Sequence, residues 1–158
     1  MPELHKFMEN YIKADWSKPK PVQSDMEIDP IQNVNHDFLR ELEKQKCFSR
    51  RSFEKWERIM HSHGASLREI YNLRYDRFAK YVDVVVYPKT HEDVVKIIEL
   101  ANIHDVIIVP YGGGTNVTQA LYMHSDAQTG NKRMILSLDM SRMNKILWVD
   151  KDNNIACV

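Results

Sequence analysis

The fold turns on two runs: Asp83-Val84-Val85-Val86-Tyr87-Pro88 and Val106-Ile107-Ile108-Val109-Pro110-Tyr111-Gly112-Gly113-Gly114-Thr115-Asn116-Val117. Val84 to Tyr87 is a β-branched run stopped by Pro88, the pattern of a buried strand. Thr90, with Asp93 three residues on, caps a helix whose Val94, Ile97, Ile98 and Ala101 line one face. Asp105 breaks that helix, and Val106 to Val109 form a second buried strand. Strand, helix, strand predicts a βαβ unit with parallel strands and a right-handed crossover.

The glycines follow the C-terminal end of the second strand, the edge where open α/β sheets bind ligands. They are three of only five in the chain. Glycine accepts positive φ and lets another group approach the backbone. Consecutive glycines can turn successive N–H groups into one concavity, which binds a pyrophosphate without a cationic side chain. Thr115 and Asn116 add a hydroxyl and an amide as candidates for the same oxygens. Neither familiar nucleotide fingerprint fits: no Lys follows the glycines as in a P-loop, and Val117 stands where a dinucleotide fingerprint has its last glycine. A plain surface turn is the alternative reading of this run.

Working outward, residues 122–133 read as a polar loop. Strands are expected at 134–138, 146–149 and 155–158, the last two joined as an antiparallel hairpin by Asp150-Lys151-Asp152-Asn153-Asn154. The chain stops within a strand, so an uncovered edge is expected there. Upstream, 36–73 reads as three short helices. Phe38, Leu39 and Leu42 make one stripe, and Phe53, Trp56, Ile59 and Met60 another with Gly64 as its stop. A capping box at Ser66 and Glu69 opens the third, with Leu67, Ile70, Tyr71 and Leu73 on its face. Residues 4–12 have helical spacing, and 17–35 read as an extended arm.

Composition sets the frame. The chain has 158 residues, 43% hydrophobic and 28% charged, enough for one domain. Lys plus Arg and Asp plus Glu are both 22, which argues against a nucleic-acid-coating surface. Two cysteines, Cys47 and Cys157, make no disulfide framework and fit a reducing compartment. No apolar run reaches the ~18 residues of a membrane span, and residues 1–14 lack the apolar stretch of a signal peptide.

Other candidates are weaker. His61 and His63 lie two apart, off a common helix face, and with Cys47 give no zinc spacing, so no metal site is assigned. His91-Glu92 reads as helix capping. Arg50-Arg51 and Lys44-Gln45-Lys46 read as a solvated basic face, and Trp56 and Phe53 as core. His124 is a further candidate for approaching a ligand at the glycine loop.

The segments 83–88, 91–101 and 107–117 together resemble the vanillyl-alcohol-oxidase-type flavoproteins. Within them, Ile135-Leu136-Ser137-Leu138-Asp139 and the stretch from Met143 to Asp150 resemble the alkylglycerone-phosphate synthase family. So do the upstream runs Val34 to Leu42 and His63 to Arg74. The resemblance implies an α+β fold: an N-terminal helical region followed by a truncated FAD-binding domain with a βαβ unit and antiparallel strands. The expected division is an arm with a short helix over 1–35, a helical region over 36–78, and the first part of the FAD domain over 79–158. FAD is the implied cofactor, its pyrophosphate wrapped by Pro110, Tyr111, Gly112, Gly113, Gly114, Thr115, Asn116 and Val117.

The implied reaction exchanges the acyl group of acyl-dihydroxyacetone phosphate for a long-chain fatty alcohol, with the flavin N5 holding the ketone and no net redox change. A peroxisomal setting, peripheral membrane association and a homodimer go with the full-length enzyme. No catalytic residue of the family falls within these residues, so the chain alone is expected to be inactive. Departures from the family are Asn116 for a usual Ser, Gln119 for a small residue, and Lys80 and Val82 for an Arg and a Pro. The alternatives are an FAD-linked oxidoreductase of the 2-hydroxy-acid dehydrogenase type and an inactive truncated product.

Overall fold

A computed structural model describes residues 3–7, 10–11, 27–31, 33–123, 130 and 132–158. A short helix α1 (Leu4–Phe7) stands where one is expected, and 27–31 and 33–35 carry no regular element. The rest of the expected arm lies outside the described residues, as does His124.

Helix α2 (His36–Gln45) starts where Asn35 accepts a hydrogen bond from the Phe38 N–H, and ends at Lys46 in the left-handed region. It buries Phe38 and Leu42. The chain then departs from the all-helical reading. Arg50–Ser52 is a strand, β1, and α3 (Lys55–Met60) is a turn and a half. No periodicity marks so short an edge strand; its partner supplies the reason for it. Helix α4 (Leu67–Tyr75) opens on the capping box read in the sequence, with Ser66 and Glu69 reciprocally bonded. Of its expected apolar face only Leu73 is buried, while Leu67 and Tyr71 are exposed.

Strand β2 (Val84–Tyr87), helix α5 (His91–Ile103) and strand β3 (Ile107–Tyr111) form the expected unit. Thr90 and Asp93 cap α5, and Asp105 turns the chain at φ 53°. Strand β4 (Ile135–Asp139) lies between β2 and β3 and pairs parallel with both. The order is β1-β2-β4-β3, with β1 antiparallel on β2. The expected hairpin is present as β5 (Trp148–Asp150) and β6 (Ile155–Cys157).

The core lies on both faces of this sheet. On one, Val84, Val86, Leu136 and Leu138 pack against Phe38 and Leu42 of α2 and Ile97, Leu100 and Ala101 of α5. Helix α2 thus shares its core with the sheet. On the other face, Val85, Tyr87, Val109 and Ile135 pack under Leu121 of the loop after the glycines. Each fully buried valine here contributes about 1.5–3 kcal/mol. Asp83 extends the β2–β4 ladder: its N–H donates to the Ile135 carbonyl and its carboxylate accepts from the Ile135 N–H, both at 2.8 Å.

Candidate functional site

Strands β2, β3 and β4 run parallel, so Tyr87, Tyr111 and Asp139 reach the same edge of the sheet, with Tyr111 paired to Asp139. The glycine loop leaves that edge directly after Tyr111. It forms an open cleft of about 230 Å³ lined by Pro110, Gly112 to Thr118, Ala120 and Leu121.

The three glycines have separate tasks. A β-carbon built on Gly112 or Gly113 would meet nothing within 4 Å. Gly114 has φ 68°, and a β-carbon there would collide with the Tyr111 hydroxyl. Gly114 is therefore required by the fold, whereas Gly112 and Gly113 leave their backbone open toward the cleft. Among the described residues, no protein acceptor takes the N–H of Gly113, Gly114, Thr115 or Asn116.

The structure reassigns two side chains. Tyr111 turns inward, its ring 4.3 Å from that of His61. Burial, then the charge of Asp139, push its phenol above the ordinary value. Asn116 has φ 56° and spends its amide inside the protein: Nδ2 donates to Glu69 at 2.5 Å and Oδ1 accepts from the Leu121 N–H at 2.8 Å. Its Oδ1 and one N–H of its Nδ2 are thus engaged within the protein, while its backbone N–H has no protein acceptor among the described residues. Pro110, Thr115 and Val117 are exposed on the cleft.

The segment before α4 forms the back of the loop. Sequence spacing reads Gly64 as a helix stop, yet α3 ends at Met60. Gly64 is needed instead for close approach: a β-carbon there would collide with Asn116 Cβ and lie 2.9 Å from the Thr115 carbonyl. The Ala65 N–H donates to that same carbonyl at 3.2 Å.

His61, weighed in the sequence as a metal ligand, is buried against Asp139, with Nε2 2.6 Å from the carboxylate and Nδ1 2.7 Å from the Glu57 carbonyl. A carbonyl only accepts, so Nδ1 donates to Glu57, and Nε2 and Asp139 form a second hydrogen bond. His63 stacks on Phe78 at 5.0 Å and bonds the Gly64 carbonyl through Nδ1. Among the described residues no three His, Cys, Asp or Glu side chains converge as a metal site. Arg50 pairs with Glu57, which also accepts from the Tyr87 hydroxyl at 3.0 Å. Burial pushes the Glu57 carboxyl up, but hydrogen bonds from Arg50, Ser52 and Tyr87 outweigh it and hold it below the usual range. Arg51 pairs with Glu43. The two arginines of the basic patch are thus tied to carboxylates, and Trp56, expected in the core, is 47% exposed.

The sequence reading missed the joining of His61 to Asp139 and of Gly64 and Glu69 to Asn116. The capping box did reveal Glu69 as a helix-start residue. Nothing in local spacing reveals a contact across 47 residues.

Residues 82–158 match the FAD binding domain family. The alkyldihydroxyacetonephosphate synthase of Caenorhabditis elegans is 39% identical over 97% of this chain and 25% of its own length. A solved structure of an alkyldihydroxyacetonephosphate synthase superposes with a TM-score of 0.82 at 32% identity, over 99% of this chain and 29% of that one. A mitochondrial D-lactate dehydrogenase (cytochrome) of Arabidopsis thaliana is 39% identical over a shorter stretch, 40% of this chain and 10% of its own length. The chain spans about a quarter of the length of the synthases it matches.

The residues fit the pyrophosphate of FAD on two observations. The backbone of Gly112 and Gly113 is open where a side chain would intrude, and successive N–H donors at the cleft have no protein acceptor. This chain is a homologue of the alkyldihydroxyacetonephosphate synthases over about a quarter of their length, and its residues 82–158 match the FAD binding domain family.

Proposed function

We propose that residues 112–116 hold the FAD pyrophosphate in an alkylglycerone-phosphate synthase, the enzyme that exchanges the acyl group of acyl-dihydroxyacetone phosphate for a fatty alcohol. The observation that carries the binding step is the set of unclaimed N–H groups at Gly113, Gly114, Thr115 and Asn116 beside an open glycine backbone. FAD supplies the reactive ring of that reaction. The residues of this chain bind and orient it: amides donate to phosphate oxygens, Gly112 and Gly113 admit them, and Gly114 on Tyr111 sets the turn. The chain alone performs no acyl exchange, and a peroxisomal location goes with the same reading.

The synthase reading stands above the 2-hydroxy-acid dehydrogenase reading on the extent of the match. The synthases match nearly the whole chain, including the helices before the flavin domain, and the dehydrogenase matches less than half. A titration of isotope-labelled chain with ADP and with adenosine, followed by amide NMR, tests the loop. Shifts at 112–116 with ADP and none there with adenosine support it. Equal responses to both place recognition on the nucleoside and overturn it.

A further inference from the structure

We infer that Glu69 positions the cofactor loop, which makes the start of helix α4 a working part of the FAD site. This rests on the reading that residues 112–116 hold the pyrophosphate.

A capping box needs little from its glutamate: a reciprocal bond to the N-cap N–H. Glu69 does that, with Oε2 accepting from the Ser66 N–H at 3.1 Å. Its other oxygen does more. Oε1 accepts from the Gly64 N–H at 2.8 Å and from Asn116 Nδ2 at 2.5 Å. The carboxylate is buried and receives three donors. Burial pushes its carboxyl up, but the hydrogen bonds outweigh that and keep it below the ordinary glutamate value. A buried ionised acceptor makes stronger hydrogen bonds than a neutral one.

Asn116 carries this anchor into the loop. It stands in the left-handed region at φ 56°, where asparagine is tolerated but not driven. Its Oδ1 holds the Leu121 N–H, and its carbonyl accepts from the Gln119 N–H at 3.0 Å. The Ala65 bond to the Thr115 carbonyl ties the preceding peptide to the same segment. The peptides of Thr115 and Asn116 are therefore held from behind, by α4 and its cap. Their N–H groups on the cleft side stay free for a ligand. Release of Glu69 frees the Thr115–Asn116 peptide to rotate and takes its donor, the Asn116 N–H, out of register with the phosphates.

The test uses isotope-labelled wild-type chain, Glu69→Leu, Glu69→Gln and Asn116→Gly, with FAD as the probe. Amide hydrogen exchange without ligand reads the loop. Glu69→Leu is expected to lose protection at Gly64, Ser66 and Leu121 while strands β2 to β4 keep theirs. Glu69→Gln, which retains one acceptor oxygen, is expected to lose less. FAD affinity is expected to fall about tenfold in Glu69→Leu and a few-fold in Glu69→Gln, the scale of one or two lost charge-assisted bonds. Should Glu69→Leu fail to fold, Asn116→Gly keeps the backbone conformation and removes the same contact, with the same fall expected.

Wild-type exchange and affinity in these variants overturn the inference and leave the loop reading standing. Loss of protection spread evenly over the sheet overturns it as well, since that is a plain stability role. If FAD leaves the amides of 112–116 unmoved in the wild type, the loop reading fails. The exchange pattern then judges Glu69 as a loop anchor without a cofactor role.

Discussion

Gly64 and Asn116 approach so closely that no side chain fits between them: a β-carbon on Gly64 would collide with that of Asn116. The contact joins the segment before α4 to the end of the glycine loop, and a hydrogen bond from Ala65 to Thr115 lies beside it.

Gly64→Ala forces the two segments apart. The backbone cannot yield without breaking the Gly64 bond to Glu69, so the cost is expected at about 1–3 kcal/mol, the range for overpacking. Urea denaturation checks it by a lowered midpoint at unchanged slope. A wild-type midpoint would show that the two segments separate at no cost.

Asp139→Ala removes the buried partner of His61. The ring would keep its bond to the Glu57 carbonyl and lose the partner of Nε2, while Ser141 would lose its bond to Asp139 Oδ1. Leaving a buried polar group without its hydrogen-bond partner costs about 1–3 kcal/mol. Thermal and urea denaturation should both report the loss. A variant within about 0.5 kcal/mol of wild type, the scale of a surface change, would mean the pair is not formed in solution.

Tyr87 is pushed up to about 12, first by burial and then by its hydrogen bond to the Glu57 carboxylate. The sign follows from the raised value: the folded state prefers the protonated phenol. Its contribution is full below the ordinary value of 10.0 and is lost as the pH rises toward about 12. Tyr87→Phe is therefore expected to lose less stability than wild type between those values. Parallel alkaline unfolding curves for the two proteins would refute this.

The purified chain should carry no stoichiometric flavin. Its cleft is open and about 230 Å³, below the ~300–1,000 Å³ of sites that enclose a drug-sized ligand. Binding is expected only at high FAD concentration. Absorbance spectra after gel filtration decide it, and a full flavin band would show that these residues alone supply a tight site.

Much of this was legible in the sequence where the signal was local. The β2–α5–β3 unit followed from two β-branched runs and a Thr90–Asp93 capping box, and the β5–β6 hairpin from a polar turn. The glycine loop was located by its position after β3. Non-local features were not legible. Strand β4 enters between β2 and β3 after a long connection, and β1 exists because Val85, Val86 and Tyr87 offer it an edge. The role of Gly64 depends on a residue 52 positions away, and the inward turn of Tyr111 depends on His61.

The most direct test is FAD binding to Gly113→Val. Gly113 has open space around it and no left-handed φ, so valine there disturbs no internal contact and reports only on what approaches from the cleft. Amide NMR with increasing FAD should move the signals of residues 112–116 in the wild-type chain and leave those around residue 113 unmoved in a folded Gly113→Val chain. Equal FAD response in both proteins would contradict the assignment of this loop as the pyrophosphate site.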